Sequence, residues 1–124
     1  MRVFVTGVKG QLGHDVMNEL AKRGHEGIGV DIEEMDITDA ESVRKVIIHC
    51  AAWTAVDLAE DDDKKEKVHQ VNAVGTENIA KVCHDLDCKM IYISTDYVFD
   101  GQGTRPWEPD DERHPLNVYG QTKY

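Results

Sequence analysis

The sequence predicts an α/β fold with a doubly wound parallel sheet, and three observations point to it. A glycine-rich turn joins the first apolar run to a helical pattern, an acid ends the second apolar run, and apolar runs alternate with helical patterns along the 124 residues. In such sheets a ligand lies beyond the carboxyl ends of the strands. We therefore expect a Rossmann-like, NAD(P)-binding sheet that is incomplete in this chain.

The turn from Thr6 to Gly13 follows the apolar run at residues 3–5 and begins a helical pattern. Gly7 can adopt φ values that other residues avoid, Gly10 lets the backbone approach a pyrophosphate, and Gly13 lets the helix pack closely on the strand. The spacing G-x-x-G-x-x-G differs by one residue from the dehydrogenase pattern G-x-G-x-x-G. The turn thus predicts a phosphate site at a helix N-terminus, the alternative being a glycine-rich turn without a ligand.

Asp31 ends the second apolar run, about twenty residues after the turn, where dinucleotide-binding folds place an acid. A carboxylate at this position can accept hydrogen bonds from the adenosine ribose. The following residues, Ile32, Glu33 and Glu34, include no lysine or arginine that could pair with a 2′-phosphate. On charge alone, the sequence favours NAD(H) over NADP(H).

Composition limits the classes of partner and site. The chain fits one dinucleotide-binding domain over residues 1–124, and its net charge of −10 disfavours nucleic acid and anionic membrane as partners. Cys50, Cys83 and Cys88 are odd in number and lack C-x-x-C spacing, so we expect reduced thiols, a cytoplasmic protein and no metal site. We find no signal peptide and no transmembrane run in the sequence.

The middle of the chain contains an irregularity. A short strand near Met35 leads to a helix over residues 40–47, which runs directly into the next apolar strand at residues 48–52. Loops between such elements usually take about 2–6 residues. We therefore expect that several residues are missing near positions 46–48, the alternative being a short helix distorted into the strand.

The second half predicts one long helix, a strand and the start of another helix. Apolar residues from Val68 to Leu86 mark one helix face, with Asn72 at its edge as a surface or capping amide. The run Met90–Ser94 predicts a fifth strand buried on both faces. The carboxyl ends of the strands then gather residues 51–54 and 94–97 beside the glycine-rich turn.

Tyr119 and Lys123 carry the candidate chemistry. Four residues apart on a helix, they share one face, and a nearby ammonium group would lower the pKa of the phenol. Thr95, at the end of the fifth strand, would polarise a ketone to which Tyr119 donates a proton while a nicotinamide supplies hydride. The alternative is a Tyr/Lys pair on a solvated helix.

Four segments carry a family resemblance: the glycine-rich turn and residues 51–57, 94–101 and 115–123. Together they resemble the dTDP-4-dehydrorhamnose reductases, a family of extended short-chain dehydrogenases/reductases. The resemblance implies reduction of dTDP-4-dehydro-β-L-rhamnose with NADPH or NADH, for surface polysaccharide synthesis, and allows a homodimer. It also implies a C-terminal substrate domain beyond residue 124, so that this chain alone is expected to be inactive.

The resemblance assigns roles residue by residue. Thr95, Tyr119 and Lys123 are implied to be catalytic, and Thr95, Asp96 and Tyr97 to bind the sugar. Trp53 stands where the family often has His or Tyr. The implied cofactor contacts are Gly7, Gly10, Gln11, Leu12 and Gly13 at the pyrophosphate, Asp31 at the ribose, Asp36 and Ile37 at the adenine, and Ala51, Ala52, Trp53, Thr54, Tyr119 and Lys123 further along.

A second interpretation keeps the scaffold without the reaction. The chain is also similar to the regulatory beta subunit of methionine adenosyltransferase, a non-catalytic NADP-binding protein that resembles these reductases. Intact Thr95, Tyr119 and Lys123 favour the enzyme, although a scaffold can retain them.

Overall fold

The computed structural model describes residues 2–38 and 49–124. Within these ranges the helices and strands are β1 (Arg2–Thr6), α1 (Gln11–Lys22), β2 (Glu26–Val30), α2 (Lys65–His69), α3 (Gly75–Asp85) and α4 (Val118–Lys123). Two 3₁₀ turns cover Asp57–Glu60 and Asp96–Val98, and a π-helical turn covers Gln70–Val74. The expected helix over residues 40–47 and the expected break at 46–48 lie outside the described residues.

The sheet is parallel, as predicted. β1 pairs with β2 from Arg2 opposite Glu26 to Thr6 opposite Val30, and α1 forms the crossover between them. A separate parallel bridge joins His49 to Tyr92. Because the strands run in the same direction, their carboxyl ends meet at one edge, where the glycine-rich turn also lies.

Three of the predicted strands differ from the structure. The segment at Met35 follows a turn, in which the Met35 N–H donates to the Asp31 carbonyl at 2.9 Å. The expected fourth strand at residues 48–52, of which the structure describes 49–52, and the expected fifth strand are reduced to the bridge between His49 and Tyr92. The expected burial of the fifth strand on both faces is wrong, since Ile91 and Ile93 are 60% and 44% exposed.

The core lies between the sheet and α3. Met35, Ile37, Ile79, Val82 and Cys83 form a buried cluster, against which partly buried side chains of the sheet and the neighbouring turns pack. The apolar face predicted for the long helix is therefore the face that meets the core. No helix in the described part of the chain is long and apolar enough to cross a membrane.

The predicted long helix is interrupted at the π-helical turn, which separates α2 from α3. Turns of this type insert one extra residue into a helix and often occur at functional sites. Here the turn contains Asn72, which is 1% exposed. The expectation that Asn72 is a surface or capping amide is therefore wrong.

Candidate functional site

The glycine-rich turn is closed by backbone hydrogen bonds. Gly7 has φ of +68°, its N–H donates to the Val30 carbonyl at 2.9 Å, and the Gly10 N–H donates to the Gly7 carbonyl at 3.0 Å. A Cβ atom on Gly13 would lie 2.2 Å from the Gly7 oxygen. Any side chain at Gly13 would therefore push α1 away from the turn, which agrees with the packing role predicted for this glycine.

A cavity of about 680 Å³ opens beside this turn. That volume is within the usual range of small-molecule and cofactor sites, about 300–1,000 Å³. The N-terminus of α1 faces it, and the first N–H groups of a helix have no acceptor within the helix. Most of the predicted cofactor residues border the cavity: Gly7, Gly10, Gln11, Leu12, Gly13, Asp31, Asp36, Ile37, Ala51, Ala52 and Thr54.

Asp31 ties the second strand to the turn. One carboxylate oxygen accepts the Lys9 backbone N–H and the other accepts the Ile32 N–H, both at 2.9 Å. The Lys9 side chain lies along the same edge and forms an ion pair with Glu33, a hydrogen bond that raises the pKa of Lys9. No local sequence pattern predicts this pair, because it connects residues that are 24 positions apart.

Asp36 and Ile37 lie at another part of the cavity. Asp36 Oδ1 accepts hydrogen bonds from the Thr38 N–H at 2.9 Å and the Thr38 hydroxyl at 2.7 Å, and these bonds hold the pKa of Asp36 below its usual value. Ile37 is buried in the core cluster while also bordering the cavity. Lys67 of α2 borders the cavity as well, a residue that sequence reasoning did not select.

Thr95 and Tyr119 come together at the second part of the site. The Thr95 side chain is close enough to the Tyr119 hydroxyl to oppose the rise in the pKa of Tyr119. The Thr95 hydroxyl also donates to Asp96 Oδ1 at 3.2 Å and accepts the Tyr97 N–H at 3.3 Å, which caps the 3₁₀ turn. The Tyr97 and Tyr119 rings meet edge to face with centroids 5.9 Å apart. The two hydroxyls selected from sequence are thus adjacent in space.

Gly120 determines how closely α4 approaches this turn. A Cβ atom on Gly120 would lie 2.2 Å from the Tyr97 carbonyl oxygen. The amide N–H of Gly120 donates to Asn117 Oδ1 at 2.6 Å, so Asn117 caps the helix just before Tyr119. The position of the Tyr119 hydroxyl beside Thr95 therefore depends on a glycine that sequence reasoning missed.

Lys123 occupies a different place from the one expected. Its Nζ atom lies 4.1 Å from the centroid of the Tyr92 ring, and burial lowers the pKa of Lys123 to about 8. The pKa of Tyr119 is raised, chiefly by burial. The net shift is thus opposite to the lowering expected from Lys123, whose ammonium group lies over the Tyr92 ring.

The predicted sugar contacts border a second, smaller cavity. Asp96 and Tyr97 line a space of about 250 Å³ together with Phe99 and Trp107, whose rings stack with centroids 4.7 Å apart. Neither cavity is lined by Thr95, Tyr119 or Lys123. The structure thus places Asp96 and Tyr97 against the smaller cavity, whereas Thr95 lies next to them outside its lining.

Asn72 connects the fourth strand region to α4. Its Oδ1 accepts the Trp53 N–H at 2.7 Å, and its Nδ2 donates to the Trp53 carbonyl at 3.2 Å and to Thr122 Oγ1 at 3.0 Å. Thr122 in turn donates to the Tyr119 carbonyl at 2.8 Å. Trp53 therefore faces Asn72 through its backbone and does not line the large cavity. A buried polar residue on an apolar helix face was the signal that could have identified Asn72.

His49 connects β1 to α3. Its Nδ1 contacts Thr6 Oγ1 at 3.1 Å and its Nε2 contacts Thr76 Oγ1 at 3.0 Å. Because Thr76 Oγ1 donates its own proton to the Asn72 carbonyl at 2.6 Å, the Nε2 atom of His49 carries the proton and Nδ1 accepts from Thr6. Burial, assisted by the charge of Lys123, lowers the pKa of His49 to about 4, so the ring is neutral.

The chain is similar to known proteins along its whole length. All residues, 1–124, match the family described as the RmlD substrate binding domain. A dTDP-4-dehydrorhamnose reductase from Mycolicibacterium smegmatis is 43% identical over 129 residues, covering 98% of this chain and 39% of the relative.

Two solved structures share the fold. A dTDP-4-dehydrorhamnose reductase from Clostridium acetobutylicum aligns with TM-score 0.92 and 37% identity, covering 99% of this chain and 46% of that one. One from Bacillus anthracis, in complex with NADP, aligns with TM-score 0.92 and 36% identity over the same shares. The chain spans less than half the length of these proteins and has the Rossmann-like α/β fold that the sequence predicted.

Proposed function

The chain belongs to the RmlD substrate binding domain family, and on that premise we propose that the protein is an NAD(P)H-dependent reductase of a dTDP-4-keto-6-deoxy sugar. The proposed reaction converts dTDP-4-dehydro-L-rhamnose to dTDP-L-rhamnose for polysaccharide synthesis. One observation carries the proposal: the neighbouring Thr95 and Tyr119 side chains lie on the same chain as a cavity bordered by a glycine-rich turn.

The residues around the large cavity fit a dinucleotide. Backbone groups of the turn border the cavity at Gly7, Gly10 and Gly13, and Gly13 lets α1 pack against the turn, since its Cβ atom would lie 2.2 Å from Gly7 O. Gly10, Gln11 and Leu12 would hold the pyrophosphate at the N-terminus of α1. Asp31 would bind the ribose, and Asp36 and Ile37 would contact the adenine. The nicotinamide, when bound, supplies hydride.

Tyr119 and Thr95 supply the proton and the orientation. Burial raises the pKa of Tyr119, so the phenol holds its proton at neutral pH, as a general acid must. Its hydroxyl lies near Thr95, and a substrate carbonyl oxygen placed between the two hydroxyls would receive hydrogen bonds from both once the Thr95 hydroxyl turns from Asp96. After transfer of the proton, the Lys123 ammonium group would oppose the charge left on the phenolate.

The remaining expectations form part of the same proposal. NADH is the preferred cofactor, because Asp31, Glu33 and Glu34 surround the place of a 2′-phosphate and Lys9 is already paired. Asp96 and Tyr97 contact the sugar from the smaller cavity. The protein acts in the cytoplasm and can form a homodimer, without nucleic acid, membrane or metal as a partner.

The test is cofactor oxidation by the full-length protein with dTDP-4-dehydro-L-rhamnose as the substrate. Tyr119→Phe should lower kcat by about 100- to 10,000-fold, since it removes the general acid, and should leave NADH binding unchanged. Thr122→Ser, on the same helix, is the matched control and should retain turnover.

Two outcomes would overturn the proposal. Turnover near wild type in Tyr119→Phe would remove Tyr119 as the acid. A full-length protein that binds NADH or NADPH but oxidises neither with any dTDP-4-keto sugar would instead indicate the non-catalytic regulatory role.

A further inference from the structure

The ammonium group of Lys123 is buried without a carboxylate partner among residues 2–38 and 49–124. The residue is 6% exposed, and the contact that its Nζ atom makes is with the face of the Tyr92 ring, 4.1 Å from the centroid. A buried cation is costly unless another interaction offsets its lost hydration. The negative face of an aromatic ring provides such an interaction, and a desolvated site strengthens it.

The Tyr92 ring is itself held in place. The backbone of Tyr92 forms the parallel bridge to His49, and the two rings stack with centroids 6.1 Å apart and planes 12° apart. The Thr76 side chain contacts His49 Nε2 at 3.0 Å and donates to the Asn72 carbonyl at 2.6 Å. It lies close enough to the Tyr92 hydroxyl to oppose the rise in the pKa of Tyr92. The ring is thus held by its backbone bridge and by stacking on His49, with the anchored Thr76 near its hydroxyl end.

We propose that Tyr92 is a positioning residue for Lys123, whose ammonium group it holds as a cation on its ring face at the end of α4. The part of this inference that concerns turnover rests on the proposed function, in which the charge of Lys123 opposes that of the Tyr119 phenolate. The placement of Lys123 by Tyr92 does not depend on any activity.

Other charged groups near α4 do not replace this contact. His49 is the group whose pKa the Lys123 charge lowers, and Tyr119 shares the helix of Lys123. Glu60 is engaged by the Val118 N–H at 2.6 Å. The remaining titratable groups on the elements packed against α4 are Asp57, Lys65, Glu66, Lys67, His69, Asp96 and Tyr97. No ion pair joins any of these described groups to Lys123.

The test compares Tyr92→Phe with Tyr92→Leu in the full-length protein. Lysine side-chain NMR resonances are titrated with pH, and Lys123 is assigned from a Lys123→Arg variant. Wild type and Tyr92→Phe should titrate at similar pH, because both keep the ring. Tyr92→Leu should titrate lower by about half to one and a half pH units, since the ring face no longer favours the cation.

A second series covers the case in which Tyr92→Leu does not fold. Phenylalanine analogues with increasing ring fluorination at position 92 weaken the negative ring face with little change of shape, and the Lys123 midpoint should fall stepwise along the series. An unchanged midpoint in Tyr92→Leu or along this series would overturn the proposal. So would a fall in Tyr92→Phe as large as in Tyr92→Leu, which would assign the effect to the hydroxyl.

The alkaline limb of kcat/KM separates this inference from the proposed function. If both hold, the limb moves to lower pH by the same amount as the NMR midpoint, since deprotonated Lys123 no longer assists Tyr119. An NMR shift with an unmoved limb would support the placement by Tyr92 and contradict the role of the Lys123 charge in turnover.

Discussion

In both parts of the site a glycine allows a helix to approach a backbone carbonyl closely, but the two parts are held together by different hydrogen bonds. In the nucleotide region, formed by β1, α1 and β2, Gly13 allows α1 to approach the Gly7 carbonyl. In the proton-transfer region, formed by the 3₁₀ turn Asp96–Val98 and α4, Gly120 allows α4 to approach the Tyr97 carbonyl. Both glycines would place a Cβ atom 2.2 Å from the opposing oxygen.

The difference lies in the sequence distance between the partners. The nucleotide region is closed by backbone bonds within residues 7–30, such as Gly10 to Gly7 and Gly7 to Val30. The proposed proton-transfer region depends on side-chain hydrogen bonds between more distant segments: the buried Asn72 and Thr122 are 50 positions apart, and the exposed Glu60 accepts the Val118 N–H across 58 positions. The first region can therefore form from local sequence, whereas the second requires most of the fold.

Among the variants that test the difference between the two regions, the largest effect is expected when each of the two glycines is replaced separately by alanine. Gly120→Ala forces α4 away from Tyr97 and moves Tyr119, so kcat should fall by about 100-fold while NADH still binds. Gly13→Ala forces α1 away from the turn, so NADH affinity should fall by about tenfold or more. Cofactor titration and turnover of both variants in the full-length protein provide the measurement.

Each glycine variant serves as the control for the other, because both add one methyl group against a carbonyl oxygen. Thermal unfolding of both would check that the fold persists. If Gly120→Ala reduced cofactor affinity as much as turnover, the two regions would not act independently of each other.

This division also explains what could be read from the sequence. The glycine spacing and the acid at Asp31 predicted the parallel βαβ arrangement and most of the cavity lining, because they are local signals. The pairing of Thr95 with Tyr119 followed from the order of elements. The place of Lys123 over Tyr92 could not be predicted, since helical spacing alone puts it beside Tyr119.

Two further misses have the same origin. Asn72 lies in a π-helical turn and is buried. Neither residue type nor periodicity predicts such a turn. The run Met90–Ser94 looked buried from its apolar content, yet exposure depends on which elements cover it.

His49 links β1 of the nucleotide region to α3 and should make the fold sensitive to acid. Its pKa falls from a usual 6.5 to about 4 on folding, so the unfolded chain binds the proton more readily. Stability should therefore be intact above about pH 6.5 and fall as the pH drops toward 4, by about 3 kcal/mol in total. Denaturant unfolding of the full-length protein at a series of pH values would measure this loss.

His49→Gln is the matched variant for this titration. It removes the ionisable ring and should lower stability at neutral pH while flattening the acid dependence, as the difference between the two curves isolates His49 from the carboxylates. Parallel curves for the wild type and the variant would show that His49 is not the titrating group.

The smallest expected effect concerns the edge of the nucleotide region. Glu33 pairs with Lys9 and adds a negative charge where a 2′-phosphate would lie, so Glu33→Gln should release Lys9 and strengthen NADPH binding by about two- to fivefold. NADH affinity should hardly change, because NADH has no 2′-phosphate. Glu19→Gln removes an equal charge on α1 and should alter neither affinity. Equal gains for both cofactors, or a gain in Glu19→Gln, would place the selectivity elsewhere than in the Lys9–Glu33 pair.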